Sequence, residues 1–106
     1  MELELSAPFI AKQGYLEDVC FYEGQDYLLQ LHPAEQFKPS QHARQYFEVG
    51  KNIELPDGMR VIESVEPINH LDIDYLNGNL QEHLHKFNAI FTNRIVKGYR
   101  YKLGVR

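Results

Sequence analysis

The sequence predicts an α+β fold, in which an antiparallel sheet built from hairpins carries one main amphipathic helix (about 80–92) packed on one face. Two pairs of short apolar runs are each joined by a glycine-containing loop, at residues 23–25 and 56–58. Such loops connect antiparallel neighbours. Leucine and phenylalanine then recur at helical spacing near the C-terminal end. The sheet is therefore expected from the loops and the helix from the periodicity.

The first expected hairpin joins residues 19–22 to residues 26–31 through Glu23-Gly24-Gln25. Both runs are rich in strand formers, and His32-Pro33 ends the second because proline cannot donate to a ladder. Upstream, two interpretations stay open. The acid and leucine alternation at positions 2–5 could begin an edge strand, or Ser6 could cap a short helix that Gly14 ends.

The second expected hairpin joins residues 53–55 to residues 59–65. Proline presets the first corner of Pro56-Asp57-Gly58, and glycine supplies the positive φ that follows. Residues 41–49 before it are ambiguous. They fit a helical face closed by Gly50, and their end also fits a strand.

The predicted helix at 80–92 begins with Asn79 as its cap and Glu82 at the capping-box spacing. Leu80, Leu84, Phe87 and Phe91 then form one apolar stripe, which Ile90 widens. The final run, 98–105, has a period of two that predicts a half-buried strand. Its tyrosines are expected to face inward and its basic side chains outward.

Residues 69–76 support two structures. On a strand, His70, Asp72 and Asp74 would project from one face and could bind a divalent cation. On a helix, Leu71 belongs to the buried stripe, Gly78 is the stop, and the three polar side chains do not converge. The strand alternative predicts a small metal-dependent enzyme centred on these residues, whereas the helical one predicts a solvated surface.

Length and composition predict a single globular domain over residues 1–106. The apolar runs are too short for a membrane-spanning helix, and a signal-peptide pattern is not seen, so no membrane partner is expected. Cys20 is the only cysteine, which excludes a disulfide scaffold and favours a cytoplasmic location. Nucleophile elbows and phosphate-binding glycine loops are not found, so neither catalysis nor a cofactor is predicted.

Charge is divided unevenly along the chain. Residues 1–86 carry fifteen acids and six bases, whereas residues 87–106 carry five bases and no acid. The leading hypothesis is a non-enzymatic protein-interaction module, such as an inhibitor, an adaptor or an accessory subunit, acting through an acidic surface on a basic or nucleic-acid-binding protein. The residues expected to form that surface are Asp72, Asp74 and Glu82.

The alternative hypothesis is a nucleic-acid-binding domain that uses the basic C-terminal strand. Its expected contacts are Arg94, Lys97, Arg100 and Lys102. Charge argues against it, since the six bases and fifteen acids of residues 1–86 give that part of the chain a net charge of −9, which repels polyphosphate. The same strand, if it lies at an edge, predicts pairing between two copies and hence a homodimer.

Overall fold

A computed structural model describes residues 4–13, 16–33, 47–87 and 94–104. Within these ranges the chain forms six strands and one helix. The strands are β1 (Phe9–Gln13), β2 (Leu16–Glu23), β3 (Tyr27–Pro33), β4 (Asn52–Leu55), β5 (Gly58–Pro67) and β6 (Ile95–Gly104), and the helix is α1 (His70–His85).

The strands close into an antiparallel barrel in the order β1-β2-β3-β6-β5-β4. Two three-stranded meanders, β1-β2-β3 and β4-β5-β6, join along β3 and β6. A bridge between Lys12 and Glu54 closes the barrel on the opposite side. The α+β prediction of a sheet with a helix on one face is therefore wrong. Loop signals predict which neighbours pair, whereas closure depends on a contact between strands far apart in sequence.

Both predicted hairpins are present, β2 with β3 and β4 with β5. Alternate side chains of β2 and β3 face opposite sides of the barrel wall, and both sides are buried. Leu28 lies in the barrel interior, and its neighbour Leu29 lies in the cluster outside the wall. The interior cluster contains Ala11, Cys20, Leu28, Phe47, Ile53, Leu55, Ile62, Tyr101 and Leu103.

The helix contributes to the second cluster, outside the wall. Its buried residues are Ile73, Leu76, Leu80 and Leu84, and they share that cluster with apolar residues of β2, β3 and β6. Gly98 on β6 permits this packing, because a Cβ there would stand 2.9 Å from the Ile68 side chain. The core thus has two parts, one enclosed by the barrel and one beneath α1.

The predicted helix boundaries are wrong, since α1 spans 70–85 rather than 80–92. Asn69 is the actual N-cap, and its side-chain oxygen accepts a hydrogen bond from the backbone N–H of Asp72 at 2.9 Å. Asn79 lies inside the helix and donates to the carbonyl of Tyr75 at 2.7 Å. Gly78 does not end the helix, and Leu71 is 69% exposed rather than buried. Two residues of the predicted stripe, Ile90 and Phe91, lie outside the described residues.

The strand expected at 98–105 is β6 as far as Gly104, but it is not an edge strand. It lies between β3 and β5 and hydrogen-bonds to both. Edge pairing through this strand therefore gives no reason to expect a homodimer. Tyr101 and Leu103 face the barrel interior as expected, while Lys102 is exposed.

The structure bears on both interpretations of the N-terminal segment. Residues 9–13 form β1, so the short helix capped by Ser6 is wrong, and Leu5 makes an isolated bridge with Glu23. Residues 41–46 of the other ambiguous segment lie outside the described residues. Phe47 precedes a turn, and its ring packs in the barrel 5.2 Å from that of Tyr101. The described ranges contain no helix with the length and apolar character that crossing a bilayer demands.

Candidate functional site

A depression of about 610 Å³ lies at the end of the barrel where two turns and the last residues of β6 meet. Its lining residues, which we call the mouth, are Tyr22, Gly24, Gln25, Asp26, Asp57, Met59 and Arg60. The β2–β3 turn supplies one side of the mouth and the β4–β5 turn supplies the other. Each turn is formed locally, and closure of the barrel brings the two turns together at this site.

Two glycines set the paths of these turns. Gly24 has a φ of 65° and Gly58 a φ of 115°, a region that side chains larger than glycine rarely adopt. The backbone N–H of Leu103 donates to the carbonyl of Asp26 at 2.7 Å, which ties β6 to the first turn. The carboxylates of Asp26 and Asp57 consequently flank the same depression.

Arg60 connects the three chain segments that form the mouth. Its Nε donates to the carbonyl of Gly104 at 2.9 Å, and its Nη1 donates to Asp57 Oδ2 at 2.8 Å. Weaker contacts reach the Gln25 carbonyl at 3.3 Å and Asp26 Oδ1 at 3.4 Å. The side chain is only 13% exposed. The Arg60 guanidinium therefore holds the two turns and the end of β6 together, and most of its N–H donors are used in doing so.

Tyr22 completes the network from β2. Its hydroxyl donates to Asp57 Oδ1 at 2.5 Å, and its ring lies 4.7 Å from that of Phe9. Burial, together with the hydrogen bond to Asp57, raises the pKa of Tyr22 to about 12. The same hydrogen bond lowers the pKa of Asp57 below its usual value, with Arg60 contributing. Both pKa values move away from neutrality, so at pH 7 these groups hold fixed protonation states.

The arrangement is suited to binding more than to proton transfer. A general acid or base works best with a pKa near the working pH, and neither shift produces one. Asp57 is 46% exposed and Asp26 62% exposed, so both carboxylates can still accept hydrogen bonds from a ligand. Met59, which is 37% exposed, adds an apolar contact beside them. The mouth therefore offers oxygen acceptors and a small apolar surface on a rigid frame.

The three acidic residues expected to form a binding surface lie on α1 but do not act as a group. Asp72 is engaged with the cap residue Asn69, whose side-chain amide donates to it at 3.1 Å. Asp74 forms an ion pair with Arg94 at 3.0 Å, both side chains being more than half exposed. Glu82 is exposed and makes no ion pair within the described part of the chain.

The basic residues expected to contact nucleic acid are largely paired with acids. Arg100 donates to both carboxylate oxygens of Glu23, at 2.8 and 3.1 Å, and lies 3.6 Å from Glu66. These acids raise the pKa of Arg100 above its usual value. The paired charges are satisfied within the fold. Lys102 is a looser case, since its ammonium stands 4.0 Å from Glu63. Lys97 instead lies 5.2 Å over the ring of Tyr99.

The strand alternative for His70, Asp72 and Asp74 is wrong, because all three lie on α1. Successive helical residues are about 100° apart, so side chains two positions apart point in different directions. No group of three or more metal-ligating side chains forms among the described residues. The mouth, by contrast, is a site that the sequence patterns did not predict. Its sequence signal is the three-residue spacing of Asp57 and Arg60 across a turn, which is too common to be informative alone.

Comparisons with protein-family models, with curated proteins and with solved structures each gave no match for this chain. The functional argument therefore rests on the geometry of the site.

Proposed function

We propose that this protein is a binding module that recognises a basic segment of a protein partner, with the mouth as the contact surface. The observation that carries the proposal is the pair of partly exposed carboxylates, Asp26 and Asp57, held beside Met59 at the rim of the barrel. A lysine or arginine side chain of a partner could donate to these oxygens while its methylene stem packs on the apolar surface.

The distribution of ion pairs supports a cationic ligand over an anionic one. Among the described lining residues, Arg60 is the cation, and its donors are engaged by the fold. An anion entering the mouth would meet two carboxylates and a guanidinium that is already satisfied. A cation would meet acceptors with lone pairs to spare, which makes it the favoured ligand.

Rigidity of the frame also supports binding. The mouth is fixed by strand pairing, two glycine turns and the Tyr22–Asp57–Arg60 network. Groups that are already ordered lose little conformational entropy when a partner binds. A fixed acidic rim also increases the rate of association with a basic partner at low ionic strength.

The proposal is tested by fluorescence anisotropy with a labelled lysine-rich peptide and with a peptide of equal length in which glutamate replaces lysine. We expect the lysine-rich peptide to bind more weakly as salt is added. Asp26→Lys should reduce its affinity roughly tenfold, and Asp26→Asn by less. The matched control is Glu82→Lys, which makes the same charge change on α1 and should leave binding nearly unchanged.

Other results would overturn the proposal. Equal binding of both peptides, or of neither, would mean that the mouth does not select cations. An effect of Glu82→Lys as large as that of Asp26→Lys would move the contact from the mouth to α1. Tight, salt-dependent binding of a single-stranded oligonucleotide in place of the lysine-rich peptide would favour the nucleic-acid hypothesis.

A further inference from the structure

A second hollow, of about 340 Å³, lies between the first turns of α1 and the start of β6. Its floor is apolar and almost fully buried, formed by Ile68, Ile73 and Ile95. Its rim carries the polar groups His70, Asp74, Arg94 and Lys97. The fold therefore brings together residues from two separate stretches, 70–74 and 94–97.

Hydrogen bonds to the backbone of β6 hold the walls of this hollow in place. Asn77 on α1 donates to the carbonyl of Ile95 at 2.8 Å and accepts from its N–H at 2.7 Å. On the other side, the N–H of Ile68 donates to the carbonyl of Gly98 at 2.9 Å. These contacts fix β6 against α1 and against the short β5–α1 connection. The hollow is thus preformed, as ligand pockets usually are.

The charge of the rim is positive. The rim carries two cations, Arg94 and Lys97, and one carboxylate, Asp74. Asp74 accepts a hydrogen bond from one guanidinium nitrogen of Arg94 at 3.0 Å. Arg94 makes no other hydrogen bond to the described residues, so its remaining N–H donors are available to a ligand. The Lys97 ammonium is held 5.2 Å from the centre of the Tyr99 ring, which limits where its charge can lie.

We infer that this hollow binds a small organic anion with a short apolar body, of which a medium-chain monocarboxylate is the simplest example. The apolar body would pack on the half-exposed side chain of Val96, which also lines the hollow, and on the small exposed parts of Ile68 and Ile73. The carboxylate would accept hydrogen bonds from Arg94 and Lys97. A volume of 340 Å³ is at the lower end of the range for ligand pockets and suits a small molecule. This inference is independent of the mouth, which lies at a turn end of the barrel and attracts cations.

The test is a titration of the ¹⁵N-labelled protein with hexanoate, followed by nuclear magnetic resonance. We expect saturable shifts at the amides of Val96 and Lys97 and at the Asn77 side chain, with a Kd on the order of 1 mM. Lys97→Gln should weaken binding about fivefold or more. The matched control is Lys86→Gln, an exposed lysine at the other end of α1, which should bind hexanoate as the wild type does.

Two further ligands separate the contributions of charge and apolar body. Inorganic phosphate offers charge alone, and hexanol offers the apolar body alone, so each should bind more weakly than hexanoate. Phosphate binding equal to hexanoate binding would overturn the inference, since the apolar lining would then contribute nothing. Shifts that do not saturate, or that are the same in Lys97→Gln, would overturn it too.

Discussion

Removing one hydroxyl group from the mouth isolates the contribution of its hydrogen-bond network to stability. Tyr22→Phe deletes the O–H that donates to Asp57 at 2.5 Å and leaves the ring contact with Phe9 at 4.7 Å in place. Hydrogen bonds to charged groups contribute about 1.5–3 kcal/mol. Asp57 is partly exposed and keeps its bond to Arg60 at 2.8 Å, so it is not left unpaired. We therefore expect a loss of about 1–2 kcal/mol.

Urea denaturation at pH 7, followed by circular dichroism, measures this loss. A decrease of that size lowers the midpoint by roughly 1 M urea and the Tm by roughly 5–10 °C. The matched control is Tyr27→Phe, because the Tyr27 side chain is 38% exposed and its hydroxyl makes no hydrogen bond to the described residues. Its free energy of unfolding should change by less than about 0.5 kcal/mol.

The pH dependence gives a second readout of the same bond. Folding lowers the pKa of Asp57 below its ordinary value of 3.8. The contribution of this carboxylate to stability is therefore complete above pH 3.8 and is lost as pH falls through the lower pKa of the folded protein. The difference between wild type and Tyr22→Phe should therefore shrink in strong acid. Equal stability of the two proteins at pH 7, or an equal loss in Tyr27→Phe, would refute the reasoning.

Other contacts of the fold give three more tests. Burial and hydrogen bonding raise the pKa of Tyr22 from 10.0 to about 12. Its contribution to the free energy of unfolding is therefore complete below pH 10 and is lost as pH rises towards 12. Denaturation at several alkaline pH values should show this fall in stability, and a stability that does not change with pH in this range would contradict it. Gly98→Ala should destabilise the protein by about 1–3 kcal/mol, because a Cβ there would stand 2.9 Å from the nearest side-chain carbon. Gly78 lies in α1, and a Cβ added there would have no atom within 4 Å, so Gly78→Ala should stabilise the protein by roughly 0.5–1 kcal/mol. Thermal melts distinguish these two results, and similar effects at both sites would count against the packing argument. Arg100→Gln should cost about 1 kcal/mol of stability, because this side chain is only 22% exposed and donates to both carboxylate oxygens of Glu23. Lys102→Gln should cost almost nothing, because the exposed ammonium lies 4.0 Å from Glu63. Losses of equal size would show that burial does not decide how much these ion pairs stabilise the fold.

Hairpins were predictable from the sequence because their turns are decided by a few adjacent residues. Gly24 and Gly58 both adopt the positive φ that their loops require, and the strands on either side pair as expected. The helix boundaries were not predictable from one capping signal, since Asn69 and Asn79 offer similar ones. Asn69 is the cap because the helix that starts there buries Ile73 and Leu76 against the barrel wall as well as Leu80 and Leu84.

The candidate site could not be found in the same way. Tyr22, Asp57 and Arg60 come from three strands or turns, and 35 positions separate the first two. Their contact depends on how the two meanders close into a barrel, which no local pattern specifies. The basic residues of β6 illustrate the same limit, because the sequence showed their charge but not that Glu23 would neutralise Arg100 from β2.

By itself the amino-acid order determined the turns, the alternation along β6 and the excess of acidic side chains, since each depends on residues close together in the chain. Barrel closure, the position of α1 on the outer wall and long-range ion pairs such as that of Arg100 with Glu23 were decided only by the tertiary structure. The physical reason is that these features come from burial and pairing between distant segments. The stabilising free energy of these long-range contacts is gained only when the distant segments have come together in the folded chain.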